Sequence, residues 1–122
     1  MKVSVTGDVP DTPALSALEI AVLKLALAGD GLDRLRDQAE QAQIASRTYS
    51  GVGFVSKFRL PEAIPPAGDA QPTLVLGTHP RLPDAVEFLV ELRGGRLHSL
   101  EAYCYEGMWP GDEAGFKLHT RT

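Results

Sequence analysis

The stretch that most constrains the fold of this chain is residues 85–110, which predicts a β-hairpin. Apolar residues occupy alternate positions ahead of a Gly94-Gly95 pair, and a period of two is typical of a strand with one buried face. Two adjacent glycines supply the positive φ angles that a two-residue hairpin turn requires. Counting outward from this turn places Phe88 opposite Glu101 on the apolar side. The side chains expected to face the core and the first helix are Val86, Phe88, Val90, Leu92 and Leu97.

Glu101 is the anomaly in this hairpin, because a carboxylate on a buried face loses its solvation. One interpretation is an ion pair with Arg47 or Arg59, which lie on the preceding strand segment. The other is an unpaired Glu101 with a raised pKa, placed as a general acid or base in a pocket between the helices and the sheet. The first interpretation is favoured, and both stay open at this point.

Ahead of the hairpin, the sequence predicts two helices. Thr12-Pro13 is a typical helix start and Gly29 a typical helix end, so a long apolar stretch predicts a helix over residues 13–28. A second, narrower apolar seam predicts a helix over residues 32–43. The short link between them favours two adjacent helices.

Strand patterns follow the helices and cover residues 45–106. Gly51 and Gly53 interrupt this region and mark either a bulge in one long strand or a turn between two strands. Residues 111–122 read as a polar tail that frays, and residues 1–6 as a short edge strand.

These elements predict a single α+β domain over residues 1–122, with the two N-terminal helices packed on one face of a four- or five-stranded antiparallel meander sheet. The order of helices and strands resembles that of the cystatin-like and NTF2-like folds. That resemblance implies a pocket between the helices and the sheet.

Composition disfavours several classes of protein. A net charge of −4 disfavours nucleic-acid binding, which needs a basic surface. The single cysteine, Cys104, excludes an internal disulfide and suits a reducing compartment. The apolar run of residues 14–28 contains Glu19 and Lys24 and is shorter than the roughly 20 residues that cross a bilayer. We therefore predict a cytoplasmic protein that binds neither nucleic acid nor a membrane.

The sequence contains no recognisable catalytic or metal-binding set. His79, His98 and His119 share no spacing typical of a metal site, and Cys104 has no activating neighbour along the chain. No serine stands in a G-x-S-x-G context. We therefore predict no cofactor and no metal, and a non-enzymatic protein is favoured over an enzyme.

Aromatic and acidic residues cluster after the hairpin and are candidates for binding a partner. If exposed, aromatic side chains at the end of the hairpin would resemble an interaction hot spot, and if buried they would close one end of the core. The partner-binding candidates are Glu106, Trp109, Asp112 and Glu113.

Three motifs support a family resemblance over residues 35–110. Arg47 begins an R-x-x-S-G-x-G-F motif that ends at Phe54, Leu100 begins an L-E-x-Y-x-Y motif, and Trp109-Pro110 follows. This pattern resembles a group of small bacterial proteins of unassigned function, some of which are similar to immunity partners of secreted bacterial toxins. The resemblance implies binding and blocking of a protein rather than catalysis.

The leading hypothesis is therefore a non-enzymatic, protein-binding domain, and specifically an immunity protein that neutralises a toxin, with a basic toxin domain as its partner. The alternative is a small-ligand-binding or catalytic domain of the cystatin-like or NTF2-like kind, with its pocket centred on Glu101. A third hypothesis is a homodimer that forms through a sheet edge or through the aromatic end of the hairpin.

Overall fold

A computed structural model describes residues 14–120, which form two helices packed on a six-stranded antiparallel sheet. The α+β class is therefore confirmed, but the sheet has more strands than predicted. The predicted strand over residues 1–6 and the Thr12-Pro13 helix start lie outside the described residues. The elements in chain order are α1 Ala17–Ala26, α2 Asp33–Gln41, β1 Gln43–Tyr49, β2 Gly53–Arg59, β3 Val75–Thr78, β4 Val86–Arg93, β5 Arg96–Tyr103 and β6 Lys117–Thr120.

The sheet is not a simple meander, because its strands lie in the order β1-β2-β5-β4-β3-β6. After β2 the chain crosses two strand positions to reach β3, and β4 and β5 then return to fill the gap. The connecting loop has firm anchors: the Ala67 N–H donates to the Gly95 carbonyl at 2.8 Å, and the Thr73 N–H donates to the Ala26 carbonyl at 2.8 Å. Part of the predicted polar tail forms the sixth strand, β6, which pairs with β3.

Helix α1 begins at a capping box, later than the predicted start at residue 13. The Ser16 hydroxyl accepts the Glu19 N–H at 3.1 Å, and the Glu19 carboxylate accepts the Ser16 N–H at 2.7 Å. Both bonds satisfy N–H groups that a helix start would otherwise leave unpaired. The buried residues of the helix are Leu18, Glu19, Val22, Leu23 and Ala26, so the charged Glu19 lies among apolar neighbours.

One buried amide of helix α2 connects the helix to the hairpin and to the long loop. Gln38 is fully buried, and its side chain accepts the Leu97 N–H at 2.8 Å and donates to the carbonyls of Pro65 and Gly95, each at 3.0 Å. A single side chain thereby links the helix, the hairpin turn and the long loop.

The β4–β5 hairpin forms around the predicted Gly94-Gly95 turn, where both residues have positive φ, 60° and 76°. Leu92 pairs with Leu97 as predicted, but Glu91 pairs with Ser99, so His98 is an extra residue on β5. This bulge shifts the remaining register by one residue. Phe88 therefore faces Ala102, and the predicted pairing of Phe88 with Glu101 was wrong.

The predicted core-facing residues of the hairpin are confirmed. Val86, Phe88 and Leu97 are buried, and Val90 and Leu92 pack half-buried against the same core. The opposite face of the sheet, here called the outer face, carries the alternate side chains of the strands. Within residues 14–120, no helix is long and apolar enough to cross a membrane.

Strands β1 and β2 are separate, so Gly51 lies in the turn that joins them and Gly53 is the first residue of β2, rather than both marking a bulge in one strand. Gly51 has a φ of 87°, in the region that favours glycine. Gly53 is required for a different reason: a Cβ atom there would lie 1.9 Å from the Ala102 carbonyl oxygen of the neighbouring strand.

Candidate protein-binding surface

The charged pair nearest the core is Glu19 with Arg47, not Glu101 with an arginine. Arg47 donates to the Glu19 carboxylate from Nε at 2.9 Å and from Nη2 at 2.5 Å, and the Ser56 hydroxyl donates at 2.5 Å. Arg47 and Ser56 are facing residues on β1 and β2, which explains how both reach one carboxylate. Glu19 is fully buried, while the Arg47 side chain keeps 24% of its surface exposed.

Burial alone would raise the pKa of Glu19. The hydrogen bonds from Arg47, Ser56 and the Ser16 N–H, together with the charge of Arg47, outweigh this effect and lower the pKa below its ordinary value. The carboxylate is therefore ionised and fully hydrogen-bonded, which suits a structural role. This role was not predicted from the sequence, although the Ser16-x-x-Glu19 spacing is a capping-box signal and a charge inside an apolar helix needs a partner.

Glu101 lies half-buried on the outer face, where it pairs with Leu89 of β4 and Val55 of β2. Among residues 14–120 no ion pair within 4.0 Å involves Glu101. Arg47 is already paired with Glu19, and exposed Arg59 is four positions beyond Val55, about 13 Å along the strand. The predicted ion pair of Glu101 with Arg47 or Arg59 was therefore wrong.

A groove lies between the two helices, away from the outer face. It encloses about 650 Å³, and Glu101 does not line it. Its apolar wall includes Leu15, Ile20, Leu23 and Leu27, with Lys24 at the rim.

Two of the four predicted partner-binding residues contact each other instead. The Trp109 indole N–H donates to the Glu113 carboxylate at 2.9 Å, and the Tyr49 hydroxyl donates to the same carboxylate at 3.0 Å. The Trp109 ring packs against Phe54 and Phe116, with centroid distances of 5.3 and 5.1 Å. Burial and the bond to Glu113 raise the pKa of Tyr49. These contacts give Trp109 and Glu113 a structural role.

The other two candidates, Glu106 and Asp112, are exposed. The backbone at Asp112 is held in place, because its carbonyl oxygen lies 2.7 Å from Nε2 of buried His79. Nδ1 of the same ring accepts the Arg81 N–H at 3.1 Å, so Nε2 carries the proton and donates to Asp112. Glu106 makes no side-chain hydrogen bond or ion pair with a residue in 14–120 and lies in the loop that follows β5.

The end of β5, the loop that follows it and the neighbouring β1–β2 turn present a set of exposed apolar side chains, which we call the tyrosine end. Its members are Val52, Tyr103, Tyr105 and Met108, with 43%, 36%, 57% and 76% of their surface exposed, respectively. The register predicted from the sequence placed Tyr103 on the core side, and the His98 bulge moves this residue to the outer face.

Backbone hydrogen bonds hold the tyrosine end in a defined shape. The Cys104 N–H donates to the Val52 carbonyl at 2.7 Å, and the Trp109 N–H donates to the Gly51 carbonyl at 2.8 Å. The two bonds pin both ends of the loop to the same turn. A loop whose backbone is already fixed loses little backbone conformational entropy when a partner covers it.

Comparisons of this chain with protein-family models, with curated proteins and with solved structures found no match. Within residues 14–120, no group of three or more His, Cys, Asp or Glu side chains is placed to hold a metal ion.

Proposed function

We propose that this chain is a non-enzymatic domain that binds a protein partner through the tyrosine end. The observation that supports this most directly is the exposure of Tyr103, at the end of β5, and of Tyr105 and Met108, on the following loop, whose backbone is pinned at both ends. Tyrosine and methionine are enriched in the cores of protein interfaces, and a large exposed apolar patch is uncommon on a surface that contacts only water.

The partner should be basic. Glu87 and Glu106 adjoin the exposed tyrosines, and the neighbouring loop adds one cation, Arg81, and one carboxylate, Asp84, which offset each other. The whole chain has a net charge of −4, so its long-range field also attracts a cationic protein.

Within this proposal, toxin neutralisation is the most specific function. It rests on the resemblance of the R-x-x-S-G-x-G-F and L-E-x-Y-x-Y motifs to those of small bacterial proteins, some of which are similar to immunity proteins, and it implies that binding blocks a basic toxin domain. The motif residues Gly53 and Tyr103 face each other across β2 and β5, so the two motifs meet at the base of the tyrosine end.

A growth-rescue assay and a pull-down with the product of a neighbouring gene test this function. The double variant Tyr105→Ala/Met108→Ala should weaken capture at least about tenfold, since hot-spot truncations typically cost more than 1 kcal/mol each. Ile20→Ala is the matched control, because Ile20 is 46% exposed on the helix side of the molecule. Capture that the double variant leaves unchanged would refute binding through the tyrosine end.

The alternative of a ligand pocket centred on Glu101 stays a prediction, and its support is weaker because Glu101 does not line the groove between the helices. The homodimer hypothesis also stays a prediction. Sedimentation equilibrium of the wild type and of the Tyr105→Ala/Met108→Ala variant would test it: a dimer that the variant disrupts would make a second copy the partner of the tyrosine end.

A further inference from the structure

Two tyrosines and one carboxylate form a small polar and aromatic corner on the outer face. Tyr103 of β5 faces Glu87 of β4 across the hairpin, and the Tyr105 hydroxyl lies 3.3 Å from Glu87 Oε1. The Tyr103 and Tyr105 hydroxyls lie 3.4 Å apart. We call these three residues the Tyr-Glu corner.

The contact between the two rings leaves part of their π surface uncovered. Their centroids are 5.1 Å apart and their planes are inclined at 69°, an edge-to-face arrangement. In this geometry the edge of one ring covers one face of the other, and the remaining ring faces point elsewhere. Since Tyr105 keeps 57% of its surface exposed, an incoming group can reach it.

The carboxylate also keeps capacity for a further donor. Glu87 Oε1 accepts the Tyr105 hydroxyl, while Oε2 accepts no hydrogen bond from a residue in 14–120. The hydrogen bond with Tyr103, partial burial and the negative charge of Glu87 raise the pKa of Tyr105 to about 12. The phenol therefore stays neutral at physiological pH and continues to donate.

We propose that the Tyr-Glu corner binds an arginine side chain of the protein partner, with the guanidinium stacked on an open tyrosine face and hydrogen-bonded to Glu87. This inference rests on the proposed protein-binding function and names the group that the surface recognises. A cation that lies above the face of an aromatic ring is attracted to that ring, and a carboxylate beside the ring accepts a charge-assisted hydrogen bond from the cation. Arginine fits better than lysine because its planar, weakly hydrated group stacks and donates at the same time.

The first test needs no knowledge of the partner. N-acetylarginine amide is titrated into the whole protein, and the aromatic ¹H–¹³C signals of Tyr103 and Tyr105 are followed by NMR. We expect saturable shifts of these two tyrosines, smaller shifts with N-acetyllysine amide and none with the uncharged citrulline analogue. Equal shifts with citrulline, or shifts centred on other residues, would overturn the proposal.

Variants locate the binding within the corner. Tyr105→Leu and Glu87→Gln should each weaken N-acetylarginine amide binding about two- to fivefold, the range typical of exposed cation–π contacts and ion pairs. Glu91→Gln is the control, because Glu91 lies on the same strand and the same face about 13 Å from Glu87, and it should bind as the wild type does. If Glu91→Gln lost as much affinity as Glu87→Gln, the loss would be explained by the change in net charge, and specific binding at the Tyr-Glu corner would be refuted.

The partner, once captured, separates this inference from the proposed function. If each surface arginine of the partner can be replaced by glutamine without loss of affinity while Tyr105→Ala/Met108→Ala still weakens capture, the tyrosine end binds the protein but the Tyr-Glu corner does not bind arginine. If one such replacement weakens binding and shows coupling with Glu87→Gln in a double-mutant cycle, both hold.

Discussion

Removal of the Arg47 guanidinium should destabilise the fold by an amount set by the buried carboxylate it leaves behind. In Arg47→Met, Glu19 keeps its bonds to Ser56 and Ser16 but loses its only ion-pair partner among residues 14–120. A fully buried charge without a partner destabilises the folded state, and protonation of the Glu19 carboxylate removes this charge at the smallest cost in free energy. For a carboxyl group with an ordinary pKa of 4.5, protonation at pH 7 costs about 3.4 kcal/mol. We therefore expect a loss of about 3–4 kcal/mol in the free energy of unfolding.

The pH dependence of stability gives a sharper test, because the contribution of Glu19 changes with pH in opposite directions in the wild type and in Arg47→Met. In the wild type the folded-state pKa of Glu19 is lowered, so its stabilising contribution is fully present above pH 4.5 and is lost as the pH falls through the folded-state value. In Arg47→Met we expect the folded-state pKa to lie above the unfolded value, so destabilisation by the ionised form grows as the pH rises. The stability difference between the two should therefore shrink as the pH falls from 7 towards 4.5.

Urea unfolding followed by circular dichroism at several pH values measures this difference directly. Arg59→Met is the control: Arg59 is an exposed arginine on the neighbouring strand, and its loss should change stability by no more than about 0.5 kcal/mol. A variant Glu19→Leu/Arg47→Met should be less destabilised than Arg47→Met alone, since no charge is stranded. An Arg47→Met protein as stable as Arg59→Met at pH 7, or a gap that does not narrow on acidification, would refute the reasoning.

Three further predictions concern single side chains. Gln38→Leu should cost about 2–4 kcal/mol in urea unfolding, because it leaves the buried Leu97 N–H unpaired and removes the hydrogen bonds to the Pro65 and Gly95 carbonyls; a loss below 1 kcal/mol would contradict this. Gly53→Ala should destabilise far more than Gly51→Ala relative to wild type, since only at Gly53 does the new methyl meet backbone, and equal melting temperatures for the two variants would contradict the contact. Tyr105 should ionise near pH 12 by ultraviolet difference spectroscopy against Tyr105→Phe, and a midpoint near 10 would contradict its hydrogen bonds.

The hairpin and its core-facing side chains could be predicted because they depend on local signals. A Gly-Gly pair and a period of two fix a turn and a face, and Val86, Phe88 and Leu97 are indeed buried. The His98 bulge could not be predicted in this way, since the residue is an ordinary one for a strand and the extra position is set by the neighbouring strands. That single residue moved Glu101 and Tyr103 to the outer face.

The strand order and the buried ion pair depend on contacts between residues distant in the sequence. Alternation tells which face a side chain lies on, but it does not tell which strand is adjacent, so the crossing from β2 to β3 was missed. Strand β6 has only four residues with little apolar character, which is too short for a periodic signal. The Glu19–Arg47 pair joins a helix to a strand, and only the packing of α1 on the sheet brings the two residues together.

The insertion of the β4–β5 hairpin between β2 and β3 has a consequence for how the chain acquires its structure. The outer strands of the sheet form two pairs, β1–β2 and β3–β6, one on each side of the hairpin. The first pair contacts the hairpin through β2 and β5, and the second contacts it through β3 and β4. Pairing of β2 with β5 and of β6 with β3 closes a long loop in each case, with a cost in chain entropy, whereas the hairpin closes over two glycines. We therefore expect the hairpin to form early, so that Leu97→Ala mainly slows refolding while Leu118→Ala in β6 mainly speeds unfolding in stopped-flow experiments. A chain emerging from the ribosome would then hold its central strands before its last edge strand exists.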